Sequence, residues 1–176
     1  LTFYLSPIAL LVILGYSLTK KYTSLCHFVL GIGLSLAPIG AYLSVTGSFS
    51  LLPVFYSILV LFWVSGFDML YALQDEDFDK NMKLKSMVVF LGRKGAIRLS
   101  VITHIVSAAM VVIIGYVAGF GMLYWIGSFI FAGLLAYQHL IVRPEDLSRL
   151  NVAFFTLNGI ASLIFAVFNI SDILFK

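Results

Sequence analysis

Long apolar runs separated by short polar breaks dominate the chain. Runs at about 3–19, 25–45, 51–73, 96–118, 121–141 and 152–170 each approach the roughly twenty residues an α-helix needs to cross a bilayer. They lack the alternating, roughly ten-residue pattern of a membrane β-strand. The hydrocarbon layer offers the backbone no water, so segments of this length satisfy their own hydrogen bonds as helices. The breaks carry helix punctuation. Lys20-Lys21-Tyr22-Thr23 divides the first two runs, Thr46-Gly47-Ser48 ends the second, and Pro53 opens the third. A polar loop from Asp75 to Arg98 follows the third run, Gly119 and Gly121 mark a tight turn, and Arg143-Pro144-Glu145-Asp146 separates the last two runs. The pattern predicts an all-α, polytopic transmembrane bundle of about six helices, with 1–176 as one integral membrane domain.

Composition agrees with that reading. The chain is 61% hydrophobic and 11% charged, against about 45–50% and about 25% for a soluble domain. The net charge of +3 does not point to nucleic acid, because the basic residues sit where topology calls for them. Lys20, Lys21, Lys80, Lys83, Lys85, Arg93, Lys94, Arg98, Arg143 and Arg149 all fall in alternate loops, while the opposite loops around 46–50 and 118–122 carry no charge. The positive-inside rule puts the charged side in the cytoplasm. Seven of the eight acids lie on that side too, so the expectation is a multi-pass protein of the cell's inner (plasma) membrane with a cytoplasmic active face. Cys26 is the single cysteine, which excludes an intramolecular disulfide and a thiolate metal cluster. The chain opens at Leu1 without an initiator Met or a cleavable leader and goes almost at once into a span, as expected of part of a longer protein.

The candidate chemistry lies in Gly66-Phe67-Asp68-Met69-Leu70-Tyr71-Ala72-Leu73-Gln74-Asp75-Glu76-Asp77-Phe78-Asp79. If the third helix continues through it, Asp68, Asp75 and Asp79 fall within roughly 40° of one another on the helical wheel. Tyr71 then flanks that face, Glu76 sits at its edge and Asp77 points away. Like charges on one face repel, and ionisable groups beside lipid are rare and usually functional. A divalent cation relieves the repulsion, and oxygen ligands without thiol or imidazole favour Mg²⁺ or Ca²⁺. Lys80, Lys83, Lys85, Arg93 and Lys94 suit phosphate oxygens. Carboxylates and lysines together at a membrane surface point to a lipid diphosphate. The plainer alternative is a set of solvated interfacial charges capping a helix. An EF-hand is excluded, because its glycine and glutamate positions hold Lys80 and Ser86.

The spacing Asp68-x-x-Tyr71-Ala72-x-Gln74-Asp75-x-x-x-Asp79, followed by Lys85-Ser86 and Phe90-Leu91-Gly92, resembles the second aspartate-rich motif of the UbiA superfamily of intramembrane prenyltransferases. The closest resemblance is to the 4-hydroxybenzoate polyprenyltransferase group and its menaquinone-pathway relatives. Tyr16-x-x-x-Lys20-Lys21-Tyr22-Thr23 resembles the end of that family's fourth helix, and Leu30-Gly31 through Ala37-Pro38-Ile39-Gly40-Ala41 resembles its fifth. The resemblance implies helices four to nine of a nine-helix fold. The family's earlier Asn-Asp-x-x-x-Asp motif is absent from this sequence, which implies that half the metal site and much of the acceptor site lie outside it.

The resemblance also implies an activity. A polyprenyl group passes from an isoprenyl diphosphate to an aromatic acceptor, 4-hydroxybenzoate-like, in ubiquinone or menaquinone biosynthesis, with Mg²⁺ as cofactor and the lipid bilayer as partner. Residue by residue, Asp75 and Asp79 would ligate Mg²⁺, and Asp68 would serve as ligand or catalytic base. Tyr71 would orient a carboxylate or meet the allylic cation, and Lys20 and Lys85 would bind the diphosphate. Two rivals stand beside this. One is a cation-binding membrane transporter, disfavoured because the acids sit at an edge and not at mid-span. The other is haem, chlorophyll or archaeal-lipid prenylation on the same fold.

The remaining polar residues have bland readings. His27, His104 and His139 lie in three helices without ligand spacing and read as bundle contacts. Asn151, Asn158 and Ser162 share one face of the last helix and either line a cavity or bond between helices. Gly31, Gly33 and Ser35 read as close-packing positions, and Tyr124 and Trp125 as interfacial belt residues.

Overall fold

A computed structural model describes residues 2–175. In chain order they form α1 (Thr2–Thr19), α2 (Cys26–Thr46), α3 (Leu51–Tyr71), the short α4 (Glu76–Asn81), α5 (Met87–Ala118), α6 (Met122–Ile141) and α7 (Asn158–Leu174). A 3-10 turn, Ala72–Asp75, joins α3 to α4, and a π-helical turn, Val152–Leu157, leads into α7. Among the described residues, five segments are long and apolar enough to cross a membrane: α2, α3 continued to Asn81, α5, α6, and the π turn with α7. The 18 residues of α1 lie near the shortest crossing length. The protein is a helical membrane bundle, as the apolar pattern predicts.

The central helix is α3, packed between α2 and α5, with α1 against α2 and α7 against α6. Small residues permit the close approaches. A Cβ at Gly31 would meet the Ser65 hydroxyl and lie 2.6 Å from the Leu61 carbonyl oxygen, so the α2 backbone sits directly against α3 there. Hydroxyls of α5 bond to α3 carbonyls, Ser100 to Gly66 (2.6 Å) and Ser107 to Leu59 (3.3 Å). One apolar core fills mid-bundle around Leu59, Met110, Ile114, Tyr124 and Phe131. A second, at the charged end, gathers Leu70, Leu73, Val88, Ala96, Val142 and Leu150.

Helix ends follow the punctuation. Gly47 and Gly119 close α2 and α5 in the left-handed region, at φ 66° and 61°. Asp172, the acid on the opposite side from the rest, caps α6 by accepting from the Gly121 and Tyr124 amides (2.7 and 3.2 Å).

Three expectations are corrected. The stretch 75–98 is not an open loop. It holds α4 and the first turns of α5, which Ser86 caps by accepting from Val89 N–H (3.3 Å) and Gly92 (φ 69°) then bends. Tyr124 is not an interfacial belt residue: it is fully buried, with its hydroxyl donating to the Val111 carbonyl (2.6 Å). The stripe Asn151–Asn158–Ser162 is broken: the wider π turn at 152–157 shifts Asn151 out of phase with Asn158, and Asn158 is buried while Asn151 and Ser162 are exposed.

A candidate active site at the charged end of the bundle

A cavity of about 430 Å³ lies where α1, α2, α3 and the π turn approach one another at the charged end. Leu30, Leu34, Phe67 and Phe154 form its apolar wall, while Lys20, His27, Asp68, Tyr71 and Asp75 give it polar groups. Of the residues the sequence singles out, the cavity therefore unites Lys20, Asp68, Tyr71 and Asp75.

The three aspartates do not form one stripe. A straight α-helix would align them, but the Ala72–Asp75 segment winds at three residues per turn. Four residues so wound add about 80° of rotation relative to an α-helix. Asp75 and Asp79 are thereby swung away from Asp68 and onto Lys20, whose Nζ lies 3.8 Å from Asp75 and 2.9 Å from Asp79. Asp75 is half-exposed, whereas Asp79 is fully buried and lies outside the cavity lining. Asp68 has a different partner: its Oδ2 is 2.7 Å from Nδ1 of the buried His27. That imidazole bridges α2 to α3, and its Nε2 is buried without a protein partner.

A divalent cation needs several oxygen ligands brought to one point. Among the described residues no three or more His, Cys, Asp or Glu side chains gather as a metal site. Two do converge: Asp75 and Asp79 point to one spot, held by the Lys20 ammonium, and neither buried Asp79 oxygen takes a hydrogen bond. Two carboxylates with the rest of the sphere left to water and phosphate is the usual protein share of a Mg²⁺ site. The pair fits that ion; Asp68, turned to His27, stands apart from it.

Lys85 is not in the cavity. Its Nζ donates to the Tyr22 carbonyl (3.2 Å), and its backbone N–H donates to the Lys20 carbonyl (2.6 Å). The link stitches the α1–α2 loop to the α4–α5 linker and fixes the start of the Lys20 side chain. Glu76, read from sequence as an edge residue, is buried and accepts from Lys80 (2.6 Å) and from Arg93 Nε. Arg93 also donates to the Pro144 carbonyl (3.2 Å), so one buried carboxylate ties α4 to α5 and to the 143–146 loop. The Glu76/Lys80 spacing of four is the sequence signal for half of that arrangement. Asp77 is exposed, as the wheel predicts.

Aromatic rings line the inner wall. Tyr71 stacks on Phe154, with centroids 4.0 Å apart and planes at 26°, and Phe67 meets Phe154 edge-on at 5.4 Å. Trp63 continues the series, edge-on to Phe67 at 5.8 Å. Of the histidines, His104 and His139 pair with each other (2.9 Å) between α5 and α6, a bundle contact as read. His27, read from sequence as a bundle contact, does bridge α2 to α3 and in addition lines the cavity. Phe154 is a cavity residue that sequence reasoning does not single out, and it carries no sequence signal.

Comparisons with known proteins agree with this architecture. Residues 1–160 match the model of the UbiA prenyltransferase family. The chain is similar to the 4-hydroxybenzoate octaprenyltransferase of Nitrosospira multiformis, at 30% identity over 166 residues, 94% of this chain and 57% of that protein. It is similar to the enzyme of the same name from Tolumonas auensis, at 29% over 165 residues, again 94% and 57%. Among solved structures it resembles the apo structure of a UbiA homolog from Aeropyrum pernix K1, with TM-score 0.85 and 29% identity, covering 97% of this chain and 63% of that one. The chain thus spans a little over half the length of the curated relatives it matches.

Proposed function

The chain belongs to the UbiA prenyltransferase family, and on that premise we propose that the complete protein transfers a polyprenyl group from an isoprenyl diphosphate to an electron-rich aromatic acid of the 4-hydroxybenzoate kind, in quinone biosynthesis. The observation that carries this reading is a cavity with an aromatic, apolar wall whose rim holds Lys20 against Asp75 and Asp79. Such a site matches a substrate with an apolar tail and a multiply charged head. The named activity of the similar octaprenyltransferases supports the choice of acceptor.

Each residue has a role in this reading. Asp75 and Asp79 would hold Mg²⁺, which when bound supplies charge neutralisation to the departing diphosphate. Lys20 binds diphosphate oxygens through its ammonium. Leu30, Leu34, Phe67 and Phe154 take the first isoprene units and exclude water. The ring faces that Tyr71 and Phe154 leave free outside their stack stabilise positive charge on the allylic carbon. Asp68, with one oxygen on His27, keeps the other for the proton the ring releases. The protein sits in the inner membrane with this rim in the cytoplasm, where the basic loops gather.

The test is prenyl transfer by the complete protein in lipid nanodiscs, given a polyprenyl diphosphate, 4-hydroxybenzoate and Mg²⁺. Prenylated ring and released diphosphate in equal amounts are expected, with none from Asp75→Ala. No prenylated product with hydroxybenzoate or hydroxynaphthoate acceptors would refute the assignment.

A further inference from the structure

Behind the aromatic wall lies a buried polar cluster that the transfer reaction, as described, does not use. Trp63 Nε1 of α3 (3.1 Å) and Gln138 Nε2 of α6 (2.7 Å) both donate to Oδ1 of Asn158 at the head of α7. The Asn158 amide then donates to the carbonyls of Ala153 and Phe154 (3.2 and 3.0 Å), inside the π-helical turn. A π turn carries an extra residue and loosens its own hydrogen-bond ladder, so it survives where something else holds its carbonyls. Here that support is one amide, anchored on two other helices. The residue it holds by its carbonyl is Phe154, the ring stacked on Tyr71. Ordinary α-helical winding through 152–157 would turn this ring to another direction.

We propose that Asn158, clamped by Trp63 and Gln138, is a positioning residue that sets Phe154 against Tyr71 and so keeps water from the allylic cation. The inference rests on the prenyl-transfer reading. In that reaction the bond between C1 of the prenyl chain and the bridging diphosphate oxygen breaks, and its electron pair leaves with the diphosphate. The allylic carbon then has two fates. It bonds to a ring carbon, which loses a proton and gives the prenylated acid, or to a water oxygen, which loses a proton and gives a free prenyl alcohol. A wall that is displaced, while the charged rim stays intact, shifts the outcome toward the alcohol without preventing departure of the diphosphate.

The partition between these products is the measurement. The complete protein in nanodiscs receives a radiolabelled prenyl diphosphate and 4-hydroxybenzoate, and the ratio of alcohol to prenylated ring is counted per diphosphate released. Asn158→Leu should raise that ratio severalfold, because a displaced ring no longer keeps water from the cation. KM for the prenyl diphosphate should stay within about twofold, since Lys20 and Asp75 are untouched. Trp63→Phe and Gln138→Leu each remove one anchoring bond and should move the ratio the same way; they serve if Asn158→Leu does not fold. Asn169→Leu is the control. It removes another α3–α7 hydrogen bond, to Tyr56 (2.8 Å), away from the cavity, and should leave the ratio at the unmodified value. Equal ratios for the clamp variants and Asn169→Leu overturn this inference alone. An unmodified protein that makes no prenylated ring overturns the transferase reading, and this inference with it.

Discussion

Replacing Lys20 by methionine removes the cation from between Asp75 and Asp79 while keeping most of the aliphatic stem. At 2.9 Å from Asp79, Coulomb attraction amounts to about 6 kcal/mol at an effective dielectric near 20. Desolvation of the fully buried carboxylate offsets several kcal/mol of this, so the pair itself adds little net stability. Breaking it is another matter. Asp79 has no hydrogen-bond donor to fall back on, and stranding one buried partner typically costs about 3–5 kcal/mol. Lys20 keeps a quarter of its side-chain exposure, so the lower end, about 3 kcal/mol, is expected. The assay is equilibrium unfolding of the complete protein in mixed micelles, run as a cycle with Asp79→Asn and the double variant. Each single variant should be destabilised, and the double variant should recover about 2 kcal/mol of the summed loss, because no lone charge remains buried. Prenyl transfer should be lost in all three. A coupling energy below about 0.5 kcal/mol would mean that the two side chains act independently, and the account of the rim would fail.

Other predictions probe separate parts of the molecule. Asp75→Ala should abolish Mg²⁺-dependent transfer, whereas Asp77→Asn, at an exposed position, should leave turnover within about twofold; the comparison is made by initial rates across a Mg²⁺ titration. His27→Asn places an amide donor near the lost Nδ1 and should retain most of kcat, while His27→Leu leaves Asp68 without its partner and should lower kcat about a hundredfold. Comparable rates for the two variants would show that the His27 hydrogen bond is idle. Gly31→Val forces a side chain against the Leu61 carbonyl and should cost about 1–3 kcal/mol in the same unfolding assay.

The spans were legible because each is a near-continuous apolar run, and lipid leaves such a run one backbone solution. The C-terminal glycines of α2 and α5 and the close approach at Gly31 were legible for a similar reason: a left-handed helix end, or two backbones in contact, leaves no room for a side chain. The site was legible only in outline. Acids, lysine and tyrosine were identified, but their arrangement depends on the 3-10 turn at 72–75, whose Ala72 and Leu73 pack against Val88, Ala96 and Leu150 from later in the chain. No wheel drawn on local sequence contains that packing. The partner of Asp68 lies 41 residues upstream, and Trp63 meets Asn158 across 95 residues. Lys85 makes a further contact that its charge and motif position do not announce: it tethers the α1–α2 loop to the α4–α5 linker.

That tether has an evolutionary corollary. The link from residue 85 to the Lys20 carbonyl uses peptide atoms, so it is indifferent to which side chain stands at 85. Proline at 85 would sever it for want of an N–H, while the Nζ bond to the Tyr22 carbonyl needs a long cationic side chain at that position. Conversely, an insertion or deletion in the linker before Ser86 would tug on Lys20 from a distance, altering how the rim grips its substrate with every rim residue still in place. Length, as well as identity, therefore matters along that stretch.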